Sequence, residues 1–153
     1  ELMETNTRLY QEIEQRQQIE TQLCRSEMML RNAQKVAHIG CWEFDINTQE
    51  TYWTDELYFI HGLEPNRPAP NPEENLKLIH PDDLQIHEQY ILIPATKGEA
   101  FEANLRIIRA DGEIRYVNAR GGPIFDQSGN MIKIAGTTFD VTRWVLNGAF
   151  LKP

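Results

Sequence analysis

The sequence predicts an α+β protein, with a long N-terminal helix followed by a five-stranded antiparallel sheet that carries short helices on one face. Three observations carry that expectation. Residues Leu2 to Lys35 hold no Gly or Pro, alternation of apolar and polar residues sets in at Trp42, and three alternating runs separated by turn residues fill the stretch from Phe101 to Val141.

The first run is dominated by Glu, Gln, Arg, Leu and Met, all good helix formers, so one uninterrupted helix is the simplest reading. Leu2, Leu9, Leu23 and Leu30 share one position of a seven-residue repeat, Arg16 breaks the series, and Ile19 and Ala33 take the companion position. At about 1.5 Å per residue such a helix is on the order of 50 Å long, too long to lie wholly on a domain of this size. A parallel two-stranded coiled coil in a homodimer is the preferred reading; a helix folded back on its own domain, or solvated alone, is the alternative. Arg16 either fixes register at a cost in stability or turns its head out to water.

After His38-Ile39-Gly40 the period changes, with Trp42, Phe44 and Ile46 on one side of a strand and Glu43, Asp45 and Asn47 on the other. A polar turn leads to Thr51-Tyr52-Trp53, a second short strand closing a hairpin. Thr54 or Asp55 then caps a short helix through Leu57, Tyr58 and Ile60 that stops at Gly62. Pro65, Pro68, Pro70 and Pro72 forbid regular structure in the next stretch, which leads into a helical turn or two from Glu73 to Ile79. Pro81, with Asp82 and Asp83 in the first turn, opens a helix expected to reach about Ala95 and to bury Leu84, Tyr90 and Ile91 or their neighbours. Three long strands close the chain: Phe101, Ala103, Leu105 and Ile107 alternate with Glu102, Asn104 and Arg106, Asp111-Gly112 turns, Ile114 to Phe125 returns, and Met131 to Val141 follows Ser128-Gly129-Asn130.

The composition, 41% hydrophobic and 25% charged, is that of a chain that folds. A formal net charge of -8 repels phosphate backbones and anionic lipid heads, so nucleic acid and membrane surfaces are poor partners. No apolar run suits a bilayer span and no signal peptide opens the chain, so a cytoplasmic setting is expected. Cys24 and Cys41 form neither a disulfide framework nor a zinc spacing and are read as reduced thiols. An opening on Glu1, with the apolar pattern already running at Leu2, is expected of a piece of a longer polypeptide.

Several separated motifs resemble the PAS family: His38-Ile39-Gly40-Cys41-Trp42-Glu43-Phe44-Asp45, Tyr52-Trp53-Thr54, His61-Gly62, His80-Pro81-Asp82-Asp83, Arg106 through Glu113 around Asp111-Gly112, and Gly136 through Thr142 ending in Asp140-Val141-Thr142. The likeness covers roughly residues 36–143, leaving 1–35 as a signalling helix and 144–153 as a tail. It implies a sheet of order 2-1-5-4-3, helices enclosing a pocket on its inner face, no catalysis by the domain itself, and a histidine kinase, nucleotide cyclase or similar output domain further along the polypeptide. It also implies that Asp140 and Thr142 hold a junction that passes the signal on. Two departures stand out. The family usually continues into a charged linker helix, whereas Trp144 to Phe150 is apolar, and the Asn-Cys-Arg-Phe-Leu run of the flavin photosensors is missing, which disfavours a light-sensing flavin site.

Trp42, Phe44, Trp53, Tyr58, Leu105 and Asn118 are the candidate pocket residues, with core filling as the alternative for the aromatics and a solvent-facing position as the alternative for Asn118. His80, Asp83 and His87 fall at helical spacing, but the first two are better explained as a helix start than as metal ligands. A haem site would need His87, which is read instead as a surface or packed residue. No cofactor is required, and no Ser/His/Asp series, Walker-type loop or Cys/His cluster suggests an enzyme. The expected function is that of a dimerising sensor domain in a bacterial signalling protein of the two-component type, responding to an unknown small molecule. A ligand-free dimerisation scaffold is the alternative.

Overall fold

The computed structural model describes residues 2–146. The chain divides into two units, one ending at Val36 and one beginning at Ala37.

The described part of the first unit is helical throughout and belongs to α1 (Leu2–Ala37), whose 36 residues span about 54 Å at about 1.5 Å each. None of its residues is buried, and Leu2, Leu9, Ile19, Leu23 and Leu30 are 50 to 83% exposed in the single chain. His38 follows in the left-handed region (φ 56), a conformation that ends helices.

The second unit is built on strands β1 (Ile39–Asp45), β2 (Thr51–Trp53), β3 (Phe101–Ile108), β4 (Ile114–Phe125) and β5 (Met131–Asp140), joined antiparallel in the order β2-β1-β5-β4-β3. The hairpin register sets Trp42 opposite Trp53 and Phe44 opposite Thr51. Strand β3 alternates strictly, with Phe101, Ala103, Leu105 and Ile107 buried and Glu102 and Asn104 exposed, as its sequence pattern requires. Helices α2 (Asp55–Ile60) and α3 (Pro72–Leu76) and the helical segment from Pro81 to Thr96 cover the inner face, and Leu57 and Val117, 1% and 2% exposed, mark the centre of the core.

Four local expectations are corrected. Thr54 stands at the N-cap of α2 but does not cap it, because its hydroxyl accepts the Cys41 N–H (2.9 Å) and ties the helix start to β1. Helix α3 is a capping box closed by Asn71 and Glu74 and ends at Leu76. The residues after it pair with β3 instead of continuing the helix, the His80 N–H donating to the Arg106 carbonyl and the Ile108 N–H to the Leu78 carbonyl. The helix from Pro81 is not uniform: a 3-10 turn (Pro81–Asp83) and α4 (Leu84–His87) run into a π turn (Glu88–Leu92) and then α5 (Ile93–Thr96). Pro94 supplies no N–H to the Tyr90 carbonyl and its ring crowds that group, so the turn before it widens. Of the residues expected to be buried there Ile91 is, while Leu84 and Tyr90 are 38% and 52% exposed.

A short helix, α6 (Thr142–Leu146), follows β5, with Trp144 packed on Phe139 (ring centroids 5.4 Å apart). The rest of the apolar tail expected at 144–153 lies outside the described residues from 147 onward.

Candidate functional site

Between the inner face of the sheet and the helices lies a cavity of about 290 Å³. Its floor begins with one row of residues across four strands: Phe101 on β3 stands opposite Gly121 on β4, Gly121 opposite Gly136 on β5, and Gly136 opposite Trp42 on β1. The two middle positions must lack side chains. A Cβ on Gly121 would stand 2.7 Å from the Phe101 ring, and one on Gly136 would stand 2.7 Å from the Trp42 ring and collide with the Arg120 carbonyl. The rings therefore lean over the glycines from either side and stack, 5.9 Å apart at an interplanar angle of 18°.

The opposite wall comes from α2 and the segment around α4. Trp53 stacks on the His61 ring, 4.7 Å away at 27°, and packs against Tyr58 at 5.3 Å. His61 is 5% exposed and its Nδ1 is buried with no hydrogen-bond partner among the described residues; the Nδ1 of half-buried His87 is in the same condition. Burial, with a smaller effect from the Arg109 charge, pushes His61 down to about 4, and burial also lowers His87. Both rings are thus neutral at pH 7, each offering one N–H donor and one bare nitrogen acceptor. Thr51 on β2 and Thr138 on β5 are neutral polar groups at the sheet floor, and Thr138 stands two residues from the strand end at Asp140.

Of the six residues expected in the pocket, Trp42, Phe44, Trp53 and Leu105 line the cavity. Two stand elsewhere. Tyr58 is buried behind Trp53 with its hydroxyl donating to the Arg67 carbonyl (2.9 Å). Asn118 sits between inward Val117 and Ala119 and so points to the outer face, where its amide donates to Asn104 (2.9 Å) and Glu102 (3.1 Å) and its oxygen accepts from Arg120 Nε (3.1 Å). His87, read from sequence as surface or packing, faces the cavity. His61, Thr138 and the glycine row were missed; Gly121, Gly122 and Gly136 inside strands were the available signal, since strand glycines often mark a close approach.

Asp83 is an organiser of the fold outside the cavity lining. It accepts from the Arg106 backbone N–H (2.7 Å) and from its guanidinium at Nε (3.0 Å) and Nη2 (2.8 Å), and these bonds hold its carboxyl below the usual carboxylate range. His80 Nδ1 accepts the Asp82 N–H, so both residues have structural tasks. Among the described residues no three His, Cys, Asp or Glu side chains stand together in a way that could hold a metal ion.

At the far end of β5, Asp140 and Thr142 form one knot. The Asp140 Oδ1 accepts from the Thr142 hydroxyl (2.6 Å) and N–H (3.0 Å), and the Thr142 hydroxyl oxygen accepts the Tyr116 N–H (2.8 Å). The Asp140 N–H donates to the carbonyl of His38 (3.0 Å), which places the exit of the sheet beside the residue that follows α1.

Comparison with known proteins places this architecture. A family model described as the PAS fold matches residues 50–138, and the chain belongs to that family. It is similar to the sensor protein FixL of Bradyrhizobium diazoefficiens, 25% identical over 67% of this chain and 20% of that protein. Among solved structures it resembles a sensory box histidine kinase/response regulator from Burkholderia thailandensis (TM-score 0.62, 22% identity, 80% of this chain and 91% of that one). It also resembles the N-terminal domain of a diguanylate cyclase with a PAS/PAC sensor from Marinobacter aquaeolei (TM-score 0.62, 19% identity, 69% and 96%). The chain spans about a fifth of the length of the curated relatives it matches, 20% and 23%. Among the described residues no helix is long and apolar enough to cross a membrane.

Proposed function

We propose that this chain is the sensory domain of a larger bacterial signal-transduction protein, with a histidine kinase or a cyclic-nucleotide enzyme as output, and that it acts as a cytoplasmic homodimer paired through α1. The observation that carries the reading is the aromatic cavity: its wall is continuous with β5, whose end carries the Asp140–Thr142 knot and its bond to His38. A molecule in the cavity bears on Thr138 and Ile134 of β5 and biases the geometry at that knot, which shifts a balance between two arrangements of the attached helices. The domain supplies no catalytic group to this scheme, and the output belongs to the rest of the polypeptide. The exposed apolar series Leu2, Leu9, Ile19, Leu23 and Leu30 suits a second copy of the same helix.

Sedimentation of the whole chain tests the pairing. The unaltered protein is expected to run as a dimer, and a Leu9→Lys, Leu23→Lys variant as a monomer with an intact sheet by circular dichroism. A monomer in both, at concentrations of about 100 μM, would remove the dimeric sensor. Native mass spectrometry of the purified dimer separates sensing from the scaffold alternative, since a retained small molecule supports the first and an empty cavity that takes up no ligand supports the second.

A further inference from the structure

We infer that the cavity takes an uncharged, largely hydrocarbon molecule of one or two rings, admitted between α3 and the π turn and held by apolar contact. The inference rests on the sensor reading above and adds the chemical class of what is sensed and its way in.

The lining decides the class. Trp42, Phe44, Trp53 and Phe101 supply aromatic wall, Leu105 and Ile107 supply aliphatic wall, and among the described residues no Lys or Arg lines the chamber. Burial keeps His61 and His87 neutral at pH 7 and their Nδ1 atoms lie in the packing, so neither offers a charge. The one ionised side chain in the lining is that of Glu73. A carboxylate or phosphate would lose its hydration there with no cation to replace it, whereas a hydrocarbon gives up only its unfavourable contact with water. Size agrees: an apolar cavity of roughly 150 Å³ takes up benzene, and this one, at about 290 Å³, suits a second ring.

Exposure decides the way in. Leu76 on α3 and Leu92 on the π turn line the cavity and are nevertheless 40% and 44% exposed, and Glu73 on α3 lines it and is exposed as well. These three mark a rim where the chamber meets solvent. Helix α3 suits a door, because none of its five residues is buried and its first turn is closed locally by the Asn71 and Glu74 capping box. The chain is fixed again just beyond it, where Leu78 and His80 pair with β3. A rim of apolar side chains bearing one carboxylate favours a neutral ring, which covers Leu76 and Leu92, and opposes an anion.

Naphthalene, naphthylmethylammonium and naphthoate share a two-ring frame and carry no charge, a positive charge and a negative charge. Each is titrated at pH 7 into the nitrogen-15-labelled full chain, and backbone amide shifts report both affinity and place. Naphthalene is expected to bind most tightly and to shift the amides of Leu76, Leu92 and Thr138, the ammonium more weakly, and naphthoate weakest, by about tenfold or more against naphthalene. Glu73→Lys, a change on the exposed rim, leaves naphthalene unmoved, strengthens naphthoate and weakens the ammonium, each by about threefold. Ala119→Leu fills the chamber from β4 and weakens naphthalene by about tenfold. Either ion binding as tightly as naphthalene, shifts confined to residues outside the lining, or no binding of any probe overturns the inference, and those comparisons need no variant to fold. Ion affinities unchanged in Glu73→Lys overturn the entry beside α3. Failure of the sensor reading looks different: naphthalene binds as expected, yet sedimentation and disulfide trapping along α1 show no change in helix pairing.

Discussion

The inner and outer faces of the sheet are built from the same strands and alternate residue by residue, yet they treat polar groups in opposite ways. On the outer face Glu102, Asn104, Asn118 and Arg120 form a ladder across β3 and β4 in which every member bonds another and all meet water. On the inner side the Nδ1 atoms of His61 and His87 are buried in the packing with no partner among the described residues. A polar group that its neighbours already satisfy reports on the sheet's construction. The two faces also differ in tolerance, because the inner one is closed by rings lying directly on backbone and the outer one is open to solvent.

The largest test of that difference is Gly136→Val. Its side chain would meet the Arg120 carbonyl and the Trp42 ring, neither of which has room to retreat without disturbing the sheet or the stack. We expect a loss of about 4 kcal/mol or failure to fold, measured by urea denaturation. A variant within about 1 kcal/mol of the parent would show that the inner floor is not closed by Trp42 over this row.

Acid sharpens the same contrast. His61 is neutral down to about 4 in the folded protein and takes up a proton near 6.5 when unfolded, so between those values the unfolded chain binds more protons. Stability from this group therefore falls as pH is lowered from about 6.5 through 4, by roughly 3 kcal/mol in all, and changes no further below. Asp83 also weakens the fold in acid, since protonation costs it the Arg106 bonds, but that contribution is common to the parent and to His61→Phe. The difference between the two chains in urea titrations across that range isolates the histidine. Parallel curves would mean that His61 meets water and that the chamber is open at that wall.

Much of this was legible in the sequence because two periods carry it. The helix from Leu2, the hairpin at Trp42 and the three closing strands follow from apolar spacing and turn residues, and the strand order came from the family resemblance. Phase against the chamber was harder. Asn118 alternates as neatly as Leu105, and only the position of Val117 and Ala119 against the core says which way it points. His61 escaped notice for a related reason: a histidine beside a helix-ending glycine looks like punctuation, and its unmatched nitrogen exists only once Trp53 and the sheet surround it. The π turn has no sequence signal beyond Pro94, whose missing N–H and ring widen the turn before it inside an otherwise regular helical spacing.

The smallest effects are expected on the outer face, and they complete the comparison. The Arg120 and Glu102 side chains are 65% and 53% exposed, so their ion pair at 3.1 Å is screened by water and holds two long side chains at an entropic cost. Asn118→Ala and Arg120→Ala should each change stability by less than about 0.5 kcal/mol in urea melts, because water replaces every bond they lose. Neither side chain reaches the chamber. A loss of about 2 kcal/mol or more in Asn118→Ala would reverse the assignment of the two faces, because a side chain pointing to water cannot cost that much to remove.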